Sequence, residues 1–174
     1  ELELNIHTNL LLDTLGAAYT LGDGSKHLIQ QALTACYQSK HPAWPTIPDL
    51  LRTLEATDVK GRAHGWKLSA VRALSTLAFA DLSSPPKDHD QQDLVAQLTR
   101  QHTVIELNGL NENAKQFLIP SLLLWLYYFS LARPERERLN LVVFIEEAHH
   151  LLHRRPQATG ETVMERLLRQ CREL

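Results

Sequence analysis

The sequence is poor in the features that would assign it at once. It has two cysteines, Cys36 and Cys171, too few and too far apart for a zinc ligand set or a disulfide framework. Both therefore read as reduced thiols of a cytoplasmic protein. Positive charge is not in excess. A formal net charge of -2 removes any global signal for nucleic acid while leaving room for a local basic patch. The start, Glu1-Leu2-Glu3-Leu4, lacks the basic and apolar regions of a signal peptide. The richest apolar stretch, residues 117–132, is shorter than the ~20 residues a bilayer span needs, and Pro120 and Ser121 interrupt it. A core helix is expected there, and no membrane association. Internal repeats and low-complexity tracts are absent. No GxxxxGK[ST] phosphate loop occurs anywhere in the chain. Gly22-Asp23-Gly24-Ser25-Lys26 does not substitute for one, because it follows a helical pattern and has the wrong glycine-to-lysine spacing. It reads as a turn followed by a helix cap.

What is present is a globular composition, with 44% hydrophobic and 22% charged residues over 174 positions, enough for a substantial core. The first half reads as helices. Leu10, Leu11, Leu15, Ala18 and Tyr19 recur at helical spacing, with Thr8 as the expected cap. Ser25 is expected to cap a second helix carrying Leu28, Ile29, Ala32, Leu33 and Cys36. Thr46-x-x-Asp49 has the form of a capping box before a short helix with Leu50, Leu51 and Leu54. A longer helix is expected over residues 60–80. The polar stretch 83–92, with Pro85-Pro86, reads as an exposed loop and internal boundary. Residues 1–92 then form a helical subdomain, and residues 93–174 have a different character.

In that second part, Thr103-Val104-Ile105-Glu106-Leu107 reads as a strand stopped by the turn pair Asn108-Gly109. A helix follows from about Glu112, bent near Pro120. The run from Leu139 to Ile145 reads as a second strand, and a last helix is expected over residues 162–174. Strand, helix, strand is a βαβ unit, which requires a parallel sheet. The expected fold class is therefore α/β. The chain starts without Met and stops at Arg172-Glu173-Leu174 with no helix-ending signal, so it reads as a piece of a larger protein.

The chemistry concentrates in Leu141-Val142-Val143-Phe144-Ile145-Glu146-Glu147-Ala148-His149-His150. A fully buried strand reads as a continuous apolar run, and parallel sheets place ligands at strand carboxyl ends. Two carboxylates there suit nucleotide hydrolysis. Glu146 is assigned to magnesium through water and Glu147 to polarising the attacking water. This is the shape of a Walker B segment, with glutamate where aspartate is commoner. The competing reading is two acids that favour the start of the next helix. His149 and His153 are four apart, as zinc ligands on one helix face are, but the HExxH order is missing. His149, His150 and His153 therefore read as solvated or nucleotide-facing. Asn108 ends the other expected strand, where a polar side chain can touch nucleotide or water, though Asn-Gly is also a common turn. Arg169 and Arg172 read as surface arginines. Trp44, Trp66 and Trp125 are expected to be core or loop anchors, not base-stacking platforms.

Two segments together resemble the HerA/FtsK class of RecA-like translocase ATPases, nearest to HerA-type helicases and conjugation ATPases. The first runs from Val104 through Asn108-Gly109-Leu110 to Ala114-Lys115-Gln116-Phe117. The second is Val142 to Leu152. The early helices resemble the helical insertion of that family. The resemblance implies part of a RecA-like (P-loop NTPase) parallel sheet after a helical insertion. It further implies a homo-hexameric parent that hydrolyses ATP with Mg, moves double-stranded DNA and can work beside a nuclease. Glu146 and Glu147 would then be the Walker B pair, and Arg172 a finger acting in trans on a neighbouring subunit. The family's phosphate-loop lysine has no counterpart here, so the chain alone is expected to be inactive. Two other readings stay open: a non-catalytic binding module with a vestigial nucleotide site, and a metal-dependent hydrolase using Glu146, Glu147 and the histidines.

Overall fold

A computed structural model describes residues 2–40, 45–79, 98–132, 141–148 and 163–170. Among these residues six helices are named here: α1 (Leu2–Tyr19), α2 (Asp23–Lys40), α3 (Ile47–Ala56), α4 (Arg62–Phe79), α5 (Glu112–Leu131) and α6 (Val163–Gln170). Residues 98–100 are also helical. The chain divides into two units. The first is Glu1–Pro85 with Gly109–Phe117, and the second is Pro86–Asn108 with Leu118–Leu174. The beginning of α5 thus belongs to the first unit and the remainder to the second.

The first unit is built by apolar stripes that each need a cover. α3 packs against both α2 and α4, α2 packs against α4, and α1 packs against α2. Leu15, Ile29, Leu50, Leu54, Leu74 and Leu77 are essentially removed from water, and Ala114 and Phe117 of α5 join the same core. Each such Leu or Ile contributes about 1.5–3 kcal/mol relative to leaving it exposed. That burial, and not intrinsic propensity, keeps helices of this length folded.

Local chemistry sets where the helices begin and end. α1 starts before the expected cap, and Thr8 lies buried inside it. The helix continues backward because no breaker precedes Thr8. It ends on Thr20, whose φ of 54° is left-handed, while the Leu21 amide donates to the Gly16 carbonyl at 3.1 Å. That pattern closes a helix in the manner usually assigned to glycine. α2 opens after Gly22, whose carbonyl accepts from the amides of Ser25 and Lys26 at 3.0 and 3.1 Å. Ser25 is therefore inside the helix. Its hydroxyl is not a cap but donates to the Trp66 carbonyl at 3.0 Å, joining α2 to α4. α3 has the full capping box expected of Thr46 and Asp49. Asp49 is buried, and it accepts from the Thr46 amide at 2.9 Å and from the Arg52 guanidinium. The far end of α3 is held by Lys67, whose ammonium donates to the carbonyls of Glu55 and Thr57, each at 2.7 Å. α5 is capped by Asn111, whose side-chain oxygen accepts from the Ala114 amide at 2.9 Å, and it runs through Pro120.

In the second unit, Leu124, Leu126 and Tyr127 of α5 are buried, as are Met164 and Leu167 of α6. The expected parallel sheet is absent among the described residues. Residues 102–107 and 141–145 have no strand assignment. Val104 is 88% exposed and Phe144 90% exposed, the opposite of a run buried on both faces. A strand exists only through a neighbour that completes its ladder. A continuous apolar run says that burial would be favourable, but it supplies no neighbour. The α/β expectation with part of a RecA-like sheet is therefore corrected to an all-helical description of these residues. The expected loop at 83–92 lies outside the described residues.

Candidate functional site

Glu146 and Glu147 sit in the turn that follows the exposed run 141–145, and both are solvent-exposed. Glu147 has a φ of 51°. The left-handed region costs a non-glycine residue about 1–2 kcal/mol, so the chain bends sharply and at a cost at this second acid. The two carboxylates are thus adjacent in sequence but carried on different backbone conformations. Oxygen donors of this kind suit a hard cation. Magnesium is commonly held through one or two carboxylates plus water and substrate phosphates. Glu146 is a single exposed carboxylate of this kind. Among the described residues no group of three or more metal-ligating side chains comes together, so an all-protein metal cage is not formed there.

Asn108 is exposed in its own turn with Gly109. Arg172 lies outside the described residues, as do His149, His150 and His153; Arg169 is exposed on α6. A shallow, open surface hollow of about 550 Å³ lies on α2 between His27, Gln30, Gln31, Thr34, Ala35 and Gln38. It contains none of the nominated residues, and its side chains include neither carboxylate nor thiol. Gly22 to Lys26 make a turn and the start of α2, with Lys26 paired to Asp23 at 3.1 Å.

No family model, curated protein or solved structure matches this chain. The nucleotide reading accordingly rests on these residues and their chemistry.

One expectation about the aromatic residues changes. Trp66 and Trp125 are not core anchors: they are 38% and 42% exposed, while Trp44 lies outside the described residues. The Arg62 guanidinium stands 5.6 Å from the centroid of the Trp66 ring. The signal for this was in the sequence. Lys60-Gly61-Arg62-Ala63-His64-Gly65-Trp66-Lys67 carries basic residues on both sides of Trp66 in sequence and contains no carboxylate. Among the described residues no helix is long and apolar enough to cross a membrane.

Proposed function

We propose that this chain is the central segment of an ATP-driven DNA translocase or helicase, in which Glu146 and Glu147 serve phosphoryl transfer to water. The observation that carries the reading is an apolar run ending in two adjacent, solvent-accessible carboxylates, the second on a left-handed turn. Glu147 would accept a hydrogen bond from the attacking water and draw its proton as the new oxygen–phosphorus bond forms at the γ-phosphate, while the bond from that phosphorus to the bridging β–γ oxygen breaks and ADP leaves with the electron pair. Glu146 would hold magnesium through water; a bound ion supplies charge neutralisation at the phosphate oxygens. Arg172 is proposed as the charge-stabilising finger in a neighbouring subunit of a homo-hexamer, and Asn108 as a polar contact to nucleotide or water. DNA is the proposed substrate, and a nuclease the proposed partner. A phosphate loop must come from residues other than these 174, so the isolated chain is expected not to turn over ATP.

A second reading, a non-catalytic interaction module, is favoured by a different observation: the first unit has a buried core of its own, assembled from α1 to α4 and the start of α5. The two readings separate on one comparison, ATP turnover by the product of the full reading frame with and without Glu147→Gln. Loss of hydrolysis with retained nucleotide binding supports the motor. Absence of nucleotide binding in the unaltered protein supports the module.

A further inference from the structure

The beginnings of α2 and α4 meet at one indole. Trp66 packs on Gly24 so closely that a Cβ at Gly24 would fall 2.2 Å from the ring. The Ser25 hydroxyl holds the Trp66 carbonyl at 3.0 Å. Despite this anchoring, Trp66 stays 38% exposed. A large aromatic fixed in place at the surface loses little conformational freedom when a ligand arrives. Its setting is cationic. Lys60, Arg62 and His64 are exposed in the same short run, and the Arg62 guanidinium is 5.6 Å from the indole centroid. The acids near it in sequence or across α2 are few. Asp23 is paired with Lys26 at 3.1 Å, and Asp58 precedes Lys60.

We propose that this surface binds single-stranded nucleic acid, with a base stacked at Trp66 and the flanking phosphates paired with Arg62 and Lys60. The observations favour this partner for two reasons. Every base offers a π face to an indole, and every nucleotide offers a phosphate to a nearby cation. A planar guanidinium matches phosphate with two hydrogen bonds and also stacks on rings, so Arg62 can serve either contact. An acidic peptide would satisfy the cations but leave the indole unused. A duplex keeps its bases stacked on one another and away from Trp66. The surface lies wholly within the first unit and does not rest on the nucleotide-hydrolysis reading, so either can fail alone.

The test is fluorescence anisotropy of a labelled oligothymidylate of about 16 nucleotides with the 174-residue chain, over a range of salt. Binding should weaken steeply with salt. Trp66→Ala should lose about tenfold or more in affinity, while Trp66→Phe keeps most of it. Lys60→Gln and Arg62→Gln should each reduce the salt slope by about 0.7. Both positions are exposed, so these two variants keep the test decisive even if Trp66→Ala loosens the contact of α2 with α4. Three results would overturn the proposal: no binding at low salt, unchanged binding in all four variants, or equal competition by poly-glutamate or duplex DNA.

Discussion

Replacing Gly24 by alanine should destabilise the first unit, against the usual sign for a glycine inside a helix. An exposed helical Gly→Ala change normally stabilises by about 0.5–1 kcal/mol. Here the new methyl would lie 2.2, 2.5 and 2.6 Å from three carbons of the Trp66 indole. Carbon contacts are optimal near ~3.5–4.0 Å, so the ring must move by more than about 1 Å. Overpacking of this kind costs about 1–3 kcal/mol. A ring that swings outward also gives up its Arg62 contact, about 0.5–1 kcal/mol at an exposed site. If α4 shifts with it, the Ser25 to Trp66 hydrogen bond adds about 1 kcal/mol. Set against the propensity gain, the net loss should be about 1–4 kcal/mol. Gly65, on α4, provides the control, since nothing lies within 4 Å of its added Cβ. Gly65→Ala should therefore stabilise by about 0.5–1 kcal/mol. Urea unfolding followed by circular dichroism reads both. In a Trp66→Ala background the cost of Gly24→Ala should vanish. The reasoning is refuted if Gly24→Ala matches Gly65→Ala, or costs as much without the indole as with it.

Other substitutions probe other parts of the account. Thr20→Gly should stabilise by about 0.5–1 kcal/mol, because relief of a β-branched residue at a φ of 54° outweighs the added freedom of the unfolded chain. Thr20→Asn should follow with the same sign, and a loss of thermal stability in both would contradict it. Tyr19 has a buried hydroxyl with no hydrogen-bond partner among the described residues, and burial raises its pKa above 10.0. The folded state then keeps a proton that the unfolded chain releases, so stability falls as pH rises above about 10, and Tyr19→Phe should shrink that fall. At neutral pH, Tyr19→Phe should be neutral or stabilising by about 1 kcal/mol, since it removes an unsatisfied polar atom. Phe144→Ala should change the urea midpoint by less than about 0.5 kcal/mol equivalent, because the ring is 90% exposed. A loss of about 3–5 kcal/mol would mean that the run is packed in a core after all.

Those outcomes follow the division between what sequence spacing reveals and what it does not. The capping box of Thr46 and Asp49 is legible because its partners are three residues apart and their hydrogen bonds are local. The stripe Leu28, Ile29, Ala32 and Cys36 is legible for the same reason, since all four lie on one face of α2 and are buried. The start of α1 is not legible, because Thr8 has the form of a cap in isolation and nothing local shows that the preceding turn continues the helix. The role of Ser25 is not legible locally, because its partner is the Trp66 carbonyl, 41 residues away. The two apolar runs have the side chains of strands, yet a strand is a relation between segments that lie far apart in sequence. An apolar run cannot specify its partner. At the candidate site, the adjacency of Glu146 and Glu147 is a sequence fact, whereas the left-handed backbone at Glu147 is visible only in three dimensions. The close packing of Trp66 on Gly24 joins residues far apart in sequence, and periodicity on α4 alone does not reveal it.

The most direct test of the central claim is ATP turnover by the product of the full reading frame, measured beside nucleotide binding for the unaltered protein and for Glu147→Gln. The account predicts that Glu147→Gln lowers turnover by about a hundredfold or more while nucleotide affinity is kept, the signature of a lost general base. Unchanged turnover in Glu147→Gln would contradict it.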